Sequence, residues 1–136
     1  MSLVEHTQGI YDILANLTSY TGGWFPNSQG INEISATTKF MVFPKEDMVI
    51  ESSYWYSQSY AILIHSNSEA NLRTAINKFL DHSSDRPGGF IPAGDYATSA
   101  HPYHVNFIGQ ARLLQLGPNS WECVLELIAS YEVVAT

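Results

Sequence analysis

Five histidines, one cysteine and thirteen carboxylates are the residues with which this 136-residue chain could do chemistry. The histidines are His6, His65, His82, His101 and His104. His101 and His104 bracket Pro102 and Tyr103 at the mouth of a strand. Residues three apart in an extended segment point to opposite faces, so this pair needs a turn to share one metal. It reads as ordinary loop and edge histidines. Asp81, His82, Ser83, Ser84 and Asp85 contain every letter of a serine-hydrolase triad. Triad members come from separate elements placed by the fold, however, and no nucleophile-elbow motif accompanies them. Arg86, Pro87, Gly88 and Gly89 resemble an anion nest, but no helix begins after them and no P-loop lysine follows. Cys123 falls on the apolar face of a strand and reads as a small buried hydrophobe rather than a nucleophile. Glu122 and Glu126 share one side of that strand about 13 Å apart, wider than a glycosidase pair requires. They read as a charged stripe. Tyr54, Trp55 and Tyr56 form the densest aromatic run, and the absence of nearby basic residues argues against stacking on single-stranded nucleic acid. The residues therefore point to no catalytic centre, no metal and no cofactor.

The elements that carry these residues can be placed from periodicity and punctuation. Ser2 and Glu5 match a capping box, and Leu3, Ile10, Ile13, Leu14 and Leu17 follow one helical stripe that should stop between Ser19 and Gly23, with Gly22 and Gly23 as breakers and a left-handed cap. Trp24 to Thr37 reads as loop, Lys39 to Phe43 as a short strand and Met48 to Ser52 as another. Tyr54 to His65 is a long central strand with Tyr54, Tyr56, Tyr60, Ile62 and Ile64 on one face. Ser66 and Glu69 form a second capping box, opening a helix in which Leu72, Ala75, Ile76, Phe79 and Leu80 keep the i, i+3, i+4, i+7, i+8 spacing. Asp81 to Pro102 has no hydrophobic period. A loop of that length inside a compact domain is functional or is ordered by a partner. Tyr103 to Leu116, a turn over Gly117 to Asn119, and Ser120 to Val134 form a closing hairpin. In its last strand Trp121, Cys123, Leu125, Leu127, Ala129, Tyr131 and Val133 face the core, while Glu122, Glu126, Ser130 and Glu132 face water. The expected class is α+β: one domain over residues 1–136, with a mostly antiparallel four- to five-stranded sheet and two helices packed on one face.

Composition narrows the function further. Charged residues make up only 14% of the chain and the net charge is -7, so a phosphate-backbone footprint of clustered Lys and Arg is missing. Uncharged polar residues and tyrosines replace the missing charges, a composition suited to contacts between subunits. One cysteine allows no intrachain disulfide and fits a reducing compartment. The apolar runs are too short for a bilayer and the start lacks the basic region of a signal peptide, so a soluble cytoplasmic protein is expected.

Two local patterns carry a resemblance. One is Trp55 to Leu80, a strand entered at an aromatic residue, a Ser-Asn-Ser turn and an amphipathic helix. The other is the closing strand WECVLELIASYEVV. With the element order over nearly the whole chain, these resemble the tail terminator proteins of long-tailed bacteriophages, also described as minor tail or minor capsid proteins. The resemblance implies a virion protein, assembled in the host cytoplasm, six copies of which form a ring that caps the tail tube, meets the neck or connector and lets DNA through. On that reading Glu122, Glu126 and Glu132 are candidate lumen residues, repelling DNA without binding it. Tyr54, Trp55, Tyr56, Arg86, Phe90, Ile91 and Tyr96 are candidate contacts with a neighbouring subunit or the tube. Two alternatives stand beside it: another head–tail connector or neck completion protein, and a small-molecule-binding α+β domain with the 83–102 loop as a lid.

Overall fold

The computed structural model describes residues 3–25, 38–45, 49–50, 55–83 and 104–132. Helix α1 (Leu3–Thr18) is followed by strands β1 (Thr21–Trp24), β2 (Lys39–Pro44), β3 (Val49–Ile50) and β4 (Trp55–Ser66), helix α2 (Glu69–Leu80), and strands β5 (His104–Gly117) and β6 (Ser120–Glu132). This is an α+β chain. The sheet runs in the order β1-β2-β4-β6-β5, and β3 also pairs β4. Because β2 pairs Tyr60 to His65 and β3 pairs Tyr56 and Ser57, those two strands lie end to end along the same side of β4. The sheet is thus five strands wide. Every pairing is antiparallel except that of β1 with β2.

One face of this sheet is the core. Phe40 and Val42 of β2, Tyr60, Ile62 and Ile64 of β4, and Cys123, Leu125, Leu127, Ala129 and Tyr131 of β6 are buried together with Ile10 and Leu14 of α1 and Leu72, Ala75, Ile76 and Phe79 of α2. The period-two pattern of the strands and the 3.6-residue pattern of both helices meet here, so the two helices pack on one face. Phe79 joins them, stacking on Tyr20 at 5.9 Å and meeting Phe40 edge-on at 5.0 Å. At one end of the core the hydroxyls of Tyr60 and Tyr131 hydrogen-bond at 2.9 Å, which satisfies two polar groups that burial would otherwise penalise.

Three local expectations are corrected. First, residues 21–24 are a strand, not a breaker and loop. The left-handed residue that ends α1 is Ser19, at φ 65°, rather than a glycine. Gly22 is there for a different reason: a Cβ on it would overlap the Phe40 carbonyl oxygen and lie 2.7 Å from the carbonyl carbon. Only a residue without a side chain lets β1 approach β2. Second, α2 is capped by Ser68, whose side chain accepts from the Asn71 amide at 3.1 Å. Ser66 instead ends β4, fully buried, with its hydroxyl 3.1 Å from that of Thr38. Third, β5 is irregular. Ile108 pairs Glu126 and Arg112 pairs Val124, so four steps along β5 meet two along β6, and Gly109 takes a φ of 79° within the bulge.

Candidate assembly surface

The face of the sheet opposite the helices is set by register. From β2 it carries Met41 and Phe43, from β4 Ala61, Leu63 and His65, and from β6 Glu122, Val124, Glu126 and Ile128. From β5 it carries Ile108, Arg112 and Leu114. Strand alternation thus sets the two carboxylates among aliphatic, cationic and polar side chains, Lys39, Ser59 and Asn106 among them, not in a continuous charged stripe. Val124 is 50% exposed between Glu122 and Glu126. Met41 and His65 on this same face are buried.

Each of the two carboxylates has a cationic or ionisable neighbour. The Lys45 ammonium donates to Glu126 Oε1 at 2.6 Å. Lys45 follows β2 and is held beside β4 by its amide, which donates to the Ser59 carbonyl at 2.9 Å. Glu122 lies across from His65 on β4, with Oε1 3.7 Å from His65 Nδ1. Glu132 is the last residue of β6, opposite Trp55, and its side chain lies outside the described residues. Trp55 and Tyr56 open β4 opposite Glu132 and Tyr131; here too the description stops at the backbone. Tyr54, Arg86, Phe90, Ile91 and Tyr96 fall outside the described residues, as does His101.

The other chemistry-bearing residues have structural places. Cys123 is 1% exposed, and burial pushes its thiol above the ordinary range, offset in part by a hydrogen bond from the Arg112 backbone. A thiol held protonated is a poor nucleophile. The Asp81 amide donates to the Asn77 carbonyl at the end of α2. Ser83 is buried, with its hydroxyl 3.3 Å from Asn106 Oδ1 and 3.4 Å from the Phe107 amide. That contact ties the end of the α2 segment to the start of β5. Among the described residues no group of three or more His, Cys, Asp and Glu is placed to hold a metal ion. Nor is any helix long and apolar enough to cross a membrane.

The hairpin pattern correctly placed β5 but did not show how exposed it is. It is the last strand of the sheet, and from Ile108 to Leu116 every residue but Leu113 is exposed. Leu114 is 51% exposed and Leu116 58% exposed. With Ile108 and Val124 they are exposed aliphatic side chains beside an edge that, among the described residues, no further strand pairs. The signal was present in the sequence: HVNFIGQARLLQLG contains Arg112 and no Asp, Glu or Lys. Three leucines within four positions cannot all point at one core when side chains alternate.

No family model matches this chain, and no curated protein does.

Proposed function

We propose that this chain is a structural assembly protein of the long-tailed phage virion, a tail terminator that forms a ring at the head-proximal end of the tail tube and joins it to the neck. The observation that carries the proposal is the β5 edge, which among the described residues has no partner strand beyond β6, with Ile108, Leu114, Leu116 and Val124 exposed beside it. Soluble proteins normally shorten, charge or cover such an edge, because unpaired backbone donors and acceptors invite another chain. A contiguous aliphatic patch next to it marks a surface that is covered during function. The resemblance in element order and in the Trp55–Leu80 and Trp121–Val134 patterns supplies the kind of assembly. The low proportion of charged residues and the net charge of -7 fit a part that binds other subunits and lets DNA pass.

In this reading the ring, with six copies expected, leaves no role for catalysis or a cofactor. Glu122 and Glu126 line the lumen, with Lys45 bound to the Glu126 carboxylate and His65 beside that of Glu122. Glu132 extends the row. The tyrosine-rich start of β4 and the 84–103 segment supply contacts to the neighbour and to the tube. The test is to mix the purified chain with tail tubes grown from tube protein and image them by electron microscopy. Rings at one tube end and a halt to elongation are the expected result. Tubes that keep growing, with no added density at either end, would sink the proposal.

A further inference from the structure

We infer that the free chain pairs with a second copy of itself along β5, giving a two-fold dimer in which one sheet runs from protomer to protomer. Its role rests on the assembly proposal, as the form that keeps the edge out of use before a ring is built. Its existence does not.

The two edges of the sheet are unlike. β1 is four residues long, and the Gly22 amide already donates to the Tyr11 hydroxyl at 3.0 Å, so α1 covers that edge. β5 is fourteen residues long; the Phe107 amide near its start donates to Ser83 Oγ, but from Arg112 to Gln115, between two register shifts, the strand is regular and among the described residues pairs with β6 alone. An antiparallel edge related to its own copy by a two-fold axis meets donors with acceptors automatically.

Side chains select the register. In a pairing centred on Leu113, Arg112 stands opposite Leu114 of the partner subunit, whose β6 neighbour is Glu122. Arg112 and that carboxylate then lie on the same face with Cα atoms two strand spacings apart, about 10 Å, a gap that an arginine and a glutamate span together. Among the described residues Lys45 pairs with Glu126 and Arg73 with Glu69, while Arg112 has no ion-pair partner. The two-fold axis makes the new pair twice. It also sets the two Leu114 side chains diagonal to one another, a position from which residues on adjacent strands still touch. No carboxylate of either β5 opposes this, because the strand contains none.

A two-fold contact uses each edge once and closes, so it cannot by itself build a ring with unlike faces toward tube and neck. The dimer is therefore a storage form, opened when the edge is taken up during assembly.

The experiment is sedimentation equilibrium of the full chain from roughly 1 to 100 μM, a range bracketing micromolar association. The expected mass is twice the 15.1 kDa of the chain. Leu114→Lys and Arg112→Glu should each raise the dissociation constant about tenfold or more, as hot-spot substitutions do. Adding Glu122→Arg to Arg112→Glu should restore pairing. Circular dichroism checks that each variant stays folded. A monomer at every concentration overturns the inference, as does a dimer indifferent to both substitutions. Rings on tubes from a chain that is never dimeric would overturn it while leaving the assembly proposal intact; dimers from a chain that ignores tubes would do the reverse.

Discussion

Replacing Gly22 by alanine is the sharpest test of how β1 is attached. The added Cβ would overlap the Phe40 carbonyl oxygen and lie 2.7 Å and 2.9 Å from the Phe40 carbonyl carbon and amide nitrogen. All three are backbone atoms of a strand held on its other side by β4, so no side chain can swing away to make room. Either β1 withdraws by a large fraction of an ångström or β2 distorts. Overpacking of this kind costs about 1–3 kcal/mol, and each ladder hydrogen bond lost as β1 withdraws adds about 0.5–1.5 kcal/mol. The β1–β2 ladder is only four residues long, so one broken bond weakens all of it. Tyr11 would suffer too, since its hydroxyl holds the Gly22 amide and its ring packs edge-on against Trp24 at 5.1 Å. The sum is about 2–4 kcal/mol, enough to lower the melting temperature of a domain this size by roughly 10 °C. Urea unfolding followed by circular dichroism measures it. Gly109→Ala is the control: its Cβ would make only an ordinary contact, with Glu126 Oε2 at 3.7 Å, and the φ of 79° alone would resist it, costing about 1 kcal/mol. If Gly22→Ala proves no more costly than Gly109→Ala, the close approach of β1 to β2 is not what requires glycine, and the placement of β1 fails.

Three further outcomes follow from the same geometry. Ser68→Ala should cost about 1 kcal/mol in urea titration by removing the acceptor for the Asn71 amide at the start of α2. Glu126→Gln should change stability by less than about 1 kcal/mol, and less still in high salt, because Lys45 is 43% exposed and solvent screens the pair. Asp12 has a carboxyl raised above the ordinary 3.8 by burial, and its Oδ2 is buried without a hydrogen-bond partner among the described residues. The sign is that of an acid that folds more easily protonated: the contribution is full below the unfolded value of 3.8 and is lost as pH rises through the higher folded value. Asp12→Asn should therefore gain stability relative to the parent as pH is raised from 3 to 7, and melting curves in which the two stay parallel would contradict this.

Elements built on long periodic stretches were legible because local pattern and tertiary demand agreed. In α2 the residues at i, i+3, i+4 and i+7 are the buried Leu72, Ala75, Ile76 and Phe79, and in β6 the alternation from Cys123 to Tyr131 is the core face. What could not be read were features decided by a distant neighbour. Gly22 and Gly23 look like breakers in isolation, yet form a strand because β2 lies beside them. Ser66 and Ser68 are equivalent as helix signals until the length of β4 is known. Continuing β4 to Ser66 gives that hydroxyl to Thr38 and leaves the cap to Ser68.

The candidate surface divides the same way. Alternation in β6 correctly put Glu122 and Glu126 on one side, but the character of that side depends on what adjacent strands bring to it. Phe43, Leu63 and Ile108 arrive by register from three different strands. Lys45 reaches Glu126 from 81 positions away. A strand read alone therefore gave a wet charged face, whereas the assembled sheet gives a mixed face on which Lys45 holds one of the two carboxylates. The difference bears on function, because free carboxylates in a row repel a polyanion most strongly, while a lysine 2.6 Å from one of them cancels much of that field at a distance. If the row lines a DNA channel, the repulsion must come from the summed charge of six acidic subunits more than from Glu126 itself. Neutralising Glu126 alone would then leave DNA passage nearly unchanged, while the aliphatic edge at Leu114 would govern whether a ring forms at all.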